Sequence, residues 1–322
     1  MRLLASFFWL LLIVASFTSC KKELTAKDGE KHLRAFDNEL ITISKQLKNS
    51  ESVVALEQLF SIKKLPVPFR YRTNSKDTPF PFEKLKGIYQ YDSLTNGCYK
   101  FATADSIIII FPFRTLKHSK AKFIIASYVE AVSVWGPMFP TQADIKLEID
   151  KKTVASIKSK GELNYQVPTQ SNTTIQFGHY AFRIDLRSKL SRRKSKMFLD
   201  LALEKAGKTI LNCTSDMKVS QTEFNGTLFD KVNLYCAAFP IIIRAKANYG
   251  AIDPASHDFI NEFNRQIDIS VESEQKASIG RIVLKDRSNT NRLNFAIIYS
   301  DGTSAWLDDF LFFMKELMNV KC

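Results

Sequence analysis

Residues 143–150 have the sequence ADIKLEID, in which apolar and charged side chains alternate without a break. Successive side chains of a β-strand point to opposite faces, so this stretch has one apolar face and one charged face. Such a strand is typical of an antiparallel sheet that buries one face and exposes the other to solvent. The turn signal Asp150-Lys151-Lys152 follows at once, which favours a hairpin.

The same alternation recurs on both sides of this stretch, for example over residues 199–204 and 267–272. Turn signals separate the alternating runs, which predicts strands joined by hairpins over residues 87–322. These signals are Asn96-Gly97, Ala206-Gly207-Lys208, Asn225-Gly226 and Asp301-Gly302. The apolar parity switches around Gly178, and we interpret the switch as a β-bulge.

Helical periodicity precedes the sheet. Apolar residues recur every three or four positions in the first part of the segment 30–62, and Asn49-Ser50 then predicts the cap of a second helix. We expect that second helix to turn Val53, Val54, Leu56, Leu59 and Phe60 inward. Two later helices are predicted at 254–266 and 307–320.

The fold class expected from these patterns is α+β: a large, curved, mainly antiparallel β-sheet with an N-terminal helical pair and two helices in the C-terminal half. Residues 63–86 contain Pro66, Pro68, Pro79 and Pro81 and are predicted to form a connector, because proline favours extended backbone. The predicted division is therefore 20–62 for the helical segment, 63–86 for the connector and 87–322 for the sheet domain.

The first nineteen residues have the pattern of a signal peptide: Arg2, then an apolar run over 3–17, then two small residues. The position of Cys20 directly after Thr18 and Ser19 resembles the lipobox of bacterial lipoproteins, and Ser-Cys-Lys-Lys is similar to the form found in the Bacteroidota. This resemblance implies removal of residues 1–19, acylation of Cys20, and anchoring in the outer membrane on the periplasmic face or at the cell surface. The alternative is an ordinary secretory signal that leaves Cys20 a free thiol.

The chain carries a formal net charge of +13, and its densest cationic cluster lies between two predicted strands. The cluster is predicted to be a hairpin loop that binds an anionic lipid, lipopolysaccharide or glycan, the alternative being a solvated loop. It consists of Arg187, Lys189, Arg192, Arg193, Lys194 and Lys196. Nucleic acid is not expected as a partner of a chain with a secretion signal.

Signals for catalysis are missing from the sequence: it has no H-E-x-x-H, G-x-S-x-G, Walker or G-x-G-x-x-G motif. No catalytic residue, metal or cofactor is therefore predicted. The acidic pair Asp308-Asp309 suits a helix start, and Glu272 and Glu274 form the other pair. Cys213 and Cys236 lie on apolar strand-like segments, which favours two buried thiols, and a disulfide between them is the alternative.

These features favour a lipid-anchored envelope protein that binds a lipid, a glycan or another envelope partner without catalysis. If it is a carrier of acyl chains, inward positions of the strands near 198–214 and 232–243 should line an open apolar cavity. The alternatives are a structural or adhesive surface module and a hydrolase of polysaccharide or lipid, which needs a polar cleft.

Overall fold

The computed structural model describes residues 22–68, 78–113, 119–133, 138–189, 194–221, 227–253, 255–287 and 292–312. It confirms the predicted fold class, since one curved, mainly antiparallel sheet of sixteen strands is preceded by helices, and a further helix lies before its last four strands. The predicted signal peptide and Cys20 lie outside the described residues. Both stay predictions.

Four α-helices are present in the described part of the chain. They are α1 (Ala26–Lys48), α2 (Glu51–Ser61), α3 (Phe82–Leu85) and α4 (Phe259–Gln266). The strands are β1 (Gly87–Asp92), β2 (Gly97–Ala102), β3 (Ile107–Pro112), β4 (Lys120–Val132), β5 (Met138–Ile149), β6 (Lys152–Asn164), β7 (Val167–Phe177), β8 (Tyr180–Lys189), β9 (Lys194–Lys205), β10 (Lys208–Gln221), β11 (Thr227–Ala238), β12 (Ile241–Ala247), β13 (Ile267–Ser273), β14 (Ser278–Arg287), β15 (Arg292–Tyr299) and β16 (Ser304–Trp306).

The predicted break between the two N-terminal helices is confirmed. The hydroxyl of Ser50 accepts a hydrogen bond from the backbone N–H of Val53 at 3.3 Å, which caps the first turn of α2. One inward residue was predicted wrongly, because Phe60 is 41% exposed. The buried face of α2 carries Ser52, Ala55 and Leu59 instead.

The later helices are shorter than predicted within the described residues. Helix α4 begins at Phe259 instead of residue 254, and it lays half-buried apolar side chains on β13 and β14. The segment predicted as a helix from residue 307 begins as a short 3-10 turn, Leu307–Asp309. Residues 313–320 of that prediction lie outside the described residues.

Strands β3 to β16 follow one another across the sheet in chain order, each antiparallel to the next. Strand β1 lies between β3, to which it is parallel, and β2. Tight two-residue turns join several of these neighbouring strands and account for part of this simple order. Both residues of Asp150-Lys151 and of Tyr165-Gln166 have positive φ angles, as the hairpin turn that matches strand twist requires.

The predicted bulge at Gly178 is wrong. Phe177 and Tyr180 are cross-strand partners, so Gly178 and His179 form the two-residue turn between β7 and β8. Glycine suits this position because its φ angle is 55°. The apolar parity switches there because the chain reverses direction.

The core lies between the apolar face of the sheet and the N-terminal helices. Leu33 of α1 packs with side chains of β12 to β15, and Ile43 packs with Tyr180 and Leu203 further along the sheet. Helix α2 packs in the largest cluster, with β1 and β3 to β6. The other face of the sheet is rich in polar and charged side chains and is called the polar face below.

The described part of the predicted connector belongs to the same core. Its apolar side chains Leu65, Val67, Phe80 and Phe82 are buried in the cluster that contains α2 and the first strands of the sheet. The division into segments stays a prediction.

Candidate anion-binding face

Four lysines from four successive strands are cross-strand neighbours on the polar face. Lys189 of β8 lies opposite Lys196 of β9, and Lys196 lies opposite Lys218 of β10. Lys218 in turn lies opposite Lys231 of β11. Directly opposite residues of antiparallel strands project from the same face. These four residues therefore form a continuous file of ammonium groups, which we call the lysine row.

Two irregularities in strand pairing create this alignment. The register of β9 with β10 shifts at Ile210, and the register of β10 with β11 shifts at Asp230. A one-residue slip moves side chains to the other face of a sheet. Without the shift at Ile210, Lys196 would face Met217 in place of Lys218.

The ammonium groups of the lysine row have no ion-pair or hydrogen-bond partner among the described residues, and all four side chains are exposed. The arginines of the same face differ in this respect: Arg187 pairs with Asp200 at 2.7 Å, and Arg183 pairs with Glu204. Like charges that lie directly opposite each other destabilise a sheet. The charge of the lysine row is thus not neutralised by the described residues, and a bound anion would reduce the repulsion between the four lysines.

A pocket adjoins the β10–β11 end of the lysine row. Its volume is about 210 Å³, and Lys218 and Lys231 contribute to its wall together with Lys246 of β12. Asp216 and the polar side chains of Asn233, Asn248 and Gln266 complete the lining. The pocket therefore offers three ammonium groups beside one carboxylate and neutral amides.

Part of the predicted cationic loop is β-strand in the structure. Arg187 and Lys189 are strand residues of β8, and Lys196 is a strand residue of β9. Arg192 and Arg193 lie outside the described residues, and only the backbone of Lys194 is described, within β9. The described members of the cluster therefore lie on the paired strands β8 and β9, and two of them, Lys189 and Lys196, belong to the lysine row.

Three of the four acidic residues singled out in the sequence are engaged by arginines. Arg287 contacts Asp308 at 2.9 Å and Asp309 at 2.8 Å, and the hydrogen bond to Asp309 is the main cause that raises the pKa of Arg287. Glu272 is buried and lies 3.3 Å from Arg244. These three carboxylates are therefore held in ion pairs with arginines.

A disulfide bond joins Cys213 of β10 to Cys236 of β11, so the expectation of two buried thiols is wrong and the alternative is correct. Cys98 is a free thiol, and burial raises its pKa to about 11. In the described ranges, we find no group of three or more His, Cys, Asp or Glu side chains that could hold a metal ion.

The predicted apolar cavity of a carrier stays a prediction. Inward side chains of the strands concerned, such as Leu199, Leu201 and Leu234, are half-buried. No helix in the part of the chain that the structure describes is long and apolar enough to cross a membrane.

Comparison with known proteins does not assign the chain to a class. No protein-family model, no curated protein and no solved structure matches it.

Proposed function

We propose that this protein is a non-catalytic binding protein of the cell envelope, anchored through Cys20, and that the lysine row binds a linear anionic polymer. The observation that carries the proposal is the alignment of four unpaired lysines on adjacent strands. Neighbouring strands lie about 4.8 Å apart, so the row presents positive charge along roughly 14 Å. A chain with repeated anionic groups can contact all four ammonium groups at once.

The position of the row favours a polymer over the headgroups of the anchoring membrane. The chain leaves the predicted anchor at Lys22, whose carbonyl accepts the N–H of Ser278 at 2.8 Å. Successive cross-strand pairs lead from Ser278 of β14 to Asn212 of β10, which is four strands away. Asn212 lies six residues before Lys218 on the same strand. Along the sheet surface, Lys218 is thus about 28 Å from the docked N-terminal segment.

The test uses the mature lipidated protein in neutral detergent micelles, with polygalacturonate as the polymer. Neutralising two central positions, Lys196→Gln together with Lys218→Gln, should weaken binding about 30-fold, because each lysine near an anionic surface contributes about 1 kcal/mol. Affinity should also fall steeply with added salt. Biolayer interferometry at several salt concentrations measures both effects.

The matched control is Lys27→Gln together with Lys31→Gln on the exposed surface of α1, which removes the same charge. We expect less than a twofold effect from the control. Equal losses in both pairs mean general attraction to a basic protein and overturn the proposal. Vesicles that contain phosphatidylglycerol are the second ligand, and tighter row-dependent binding to them than to the polymer identifies lipid as the ligand.

A further inference from the structure

A second feature of the polar face lies beside the lysine row, across strands β4 to β7. It is a groove of about 660 Å³ whose lining is mainly hydrophilic. The side chains that matter here are Gln142, Asp144, Lys158, Asn172, Thr174 and Gln176. Pockets for drug-like ligands are mostly apolar, so this lining indicates a ligand whose own surface is polar.

Asp144 provides the main evidence that the groove binds a ligand. Its Oδ1 atom is buried and has no hydrogen-bond partner among the described residues. Lys158 and Ser127 are its cross-strand neighbours, yet neither side chain reaches that oxygen. A buried carboxylate oxygen without a donor is costly, and in a native protein it requires a physical explanation.

Other polar groups of the groove are also free to bind. The hydroxyl of Thr174 and the ammonium of Lys158 form no hydrogen bond or ion pair with the described residues. Gln142 donates one N–H to the hydroxyl of Ser127 at 3.1 Å, and its carbonyl oxygen is left as an acceptor. The groove therefore combines a carboxylate, hydroxyls, amides and ammonium groups within one surface.

This combination suits a ring that carries several hydroxyl groups. Each sugar hydroxyl both donates and accepts, so it can donate to Asp144 while it accepts from an amide or an ammonium group. Polyacrylate carries carboxylates but no hydroxyl or amide groups, so it offers no donor to the Asp144 carboxylate.

The groove is close enough to the lysine row for one polymer to occupy both. Asn172 at the edge of the groove lies opposite Asp185 of β8, and Lys189 is four residues further along that strand. This separation is on the order of 14 Å, a few sugar units at most. We propose that the groove binds the hydroxyl groups of a sugar unit and that the polymer bound by the lysine row is therefore an acidic glycan. This inference rests on the proposed function.

The test compares two polymers with equal numbers of carboxylates, polygalacturonate and polyacrylate, on the mature lipidated protein in micelles. The unmodified protein should bind the glycan at least tenfold more tightly. The variant Thr174→Val with Gln176→Ala leaves the net charge unchanged and should bring the ratio of the two affinities close to one. Its matched control is Thr214→Val with Asn212→Ala on β10 of the same face, outside the groove, which should keep the preference.

The outcomes separate this inference from the proposed function. The inference is overturned if the two polymers bind equally well, or if the groove variant keeps the preference for the glycan. Either result means that the groove does not bind sugar hydroxyls. The proposed function survives that result as long as the lysine-row variant still loses both polymers. If the lysine-row variant loses neither, the proposed function itself fails. Circular dichroism melting checks that each variant is folded.

Discussion

Lys218 shows at the level of one residue how binding and stability oppose each other on the polar face. It has a lysine on both sides, Lys196 and Lys231, so its charge is repelled twice. We expect Lys218→Gln to raise the free energy of unfolding by about 0.5 kcal/mol in low salt. Urea unfolding measures the gain, which should shrink in 1 M salt because the Debye length is then about 3 Å.

Lys246→Gln is the matched control for this prediction. Lys246 is an exposed lysine of the same face, but its cross-strand neighbours are Asp268 and Asn233. Removing its charge therefore takes away an attraction and should leave stability unchanged or slightly lower. A stabilisation of the same size in both variants would show that repulsion within the lysine row is not the cause.

The residues of the lysine row also show what the sequence can predict about a site. Lys189 and Lys196 could be found because they are near each other in the chain. Lys218 and Lys231 could not, because their alignment depends on single-residue register shifts at Ile210 and Asp230. A bulge has no strong signature in residue type, and it decides which side chains share a face.

At the level of elements, the disulfide between Cys213 and Cys236 fixes the pairing of β10 with β11 and hence two members of the lysine row. The bridge spans a sequence separation of 23 residues. We expect Cys213→Ala with Cys236→Ala to lower the free energy of unfolding by about 3 kcal/mol, since loop closure in the unfolded chain is no longer restricted.

Guanidinium unfolding of the double variant measures this loss. Treatment of the unmodified protein with a phosphine reductant is the parallel experiment and should produce a similar decrease. The reductant should have no effect on the double variant. If substitution costs no stability and intact mass shows two free thiols in the purified protein, the bridge does not form.

Hydrophobic periodicity predicted which segments are helices and which are strands more readily than it predicted the contacts between them. Helices α1 and α2 and the hairpins had local signals, namely apolar spacing, the Ser50 cap and turn residues. The packing of the connector had no such local signal. Phe80 is held because its N–H donates at 2.8 Å to Glu130, fifty residues later in the chain. Contacts over such separations depend on the finished sheet.

At the level of the whole molecule, the first described residues tie the predicted anchor to one edge of the fold. Leu24 donates its N–H to the carbonyl of Ser278 at 2.9 Å, and the N–H of Ala26 donates to Asp301 at 2.8 Å. A fully extended chain from an acylated Cys20 to Lys22 spans at most about 7 Å. The turn over 274–277, which precedes Ser278, should therefore stay close to the bilayer surface.

Fluorophores at two positions test this orientation in phosphatidylcholine vesicles that contain a nitroxide-labelled headgroup lipid. Gln275→Cys places a label in the turn near the docked N-terminal segment, and Lys196→Cys places one in the lysine row, both with Cys98→Ser and Cys322→Ser. We expect strong quenching at position 275 and little at 196, because Lys196 is five strands from Ser278 and about 31 Å away along the sheet. A soluble polymer can reach the row in that orientation. Equal quenching at both positions would place the polar face on the membrane and make lipid headgroups the natural ligand of the lysine row.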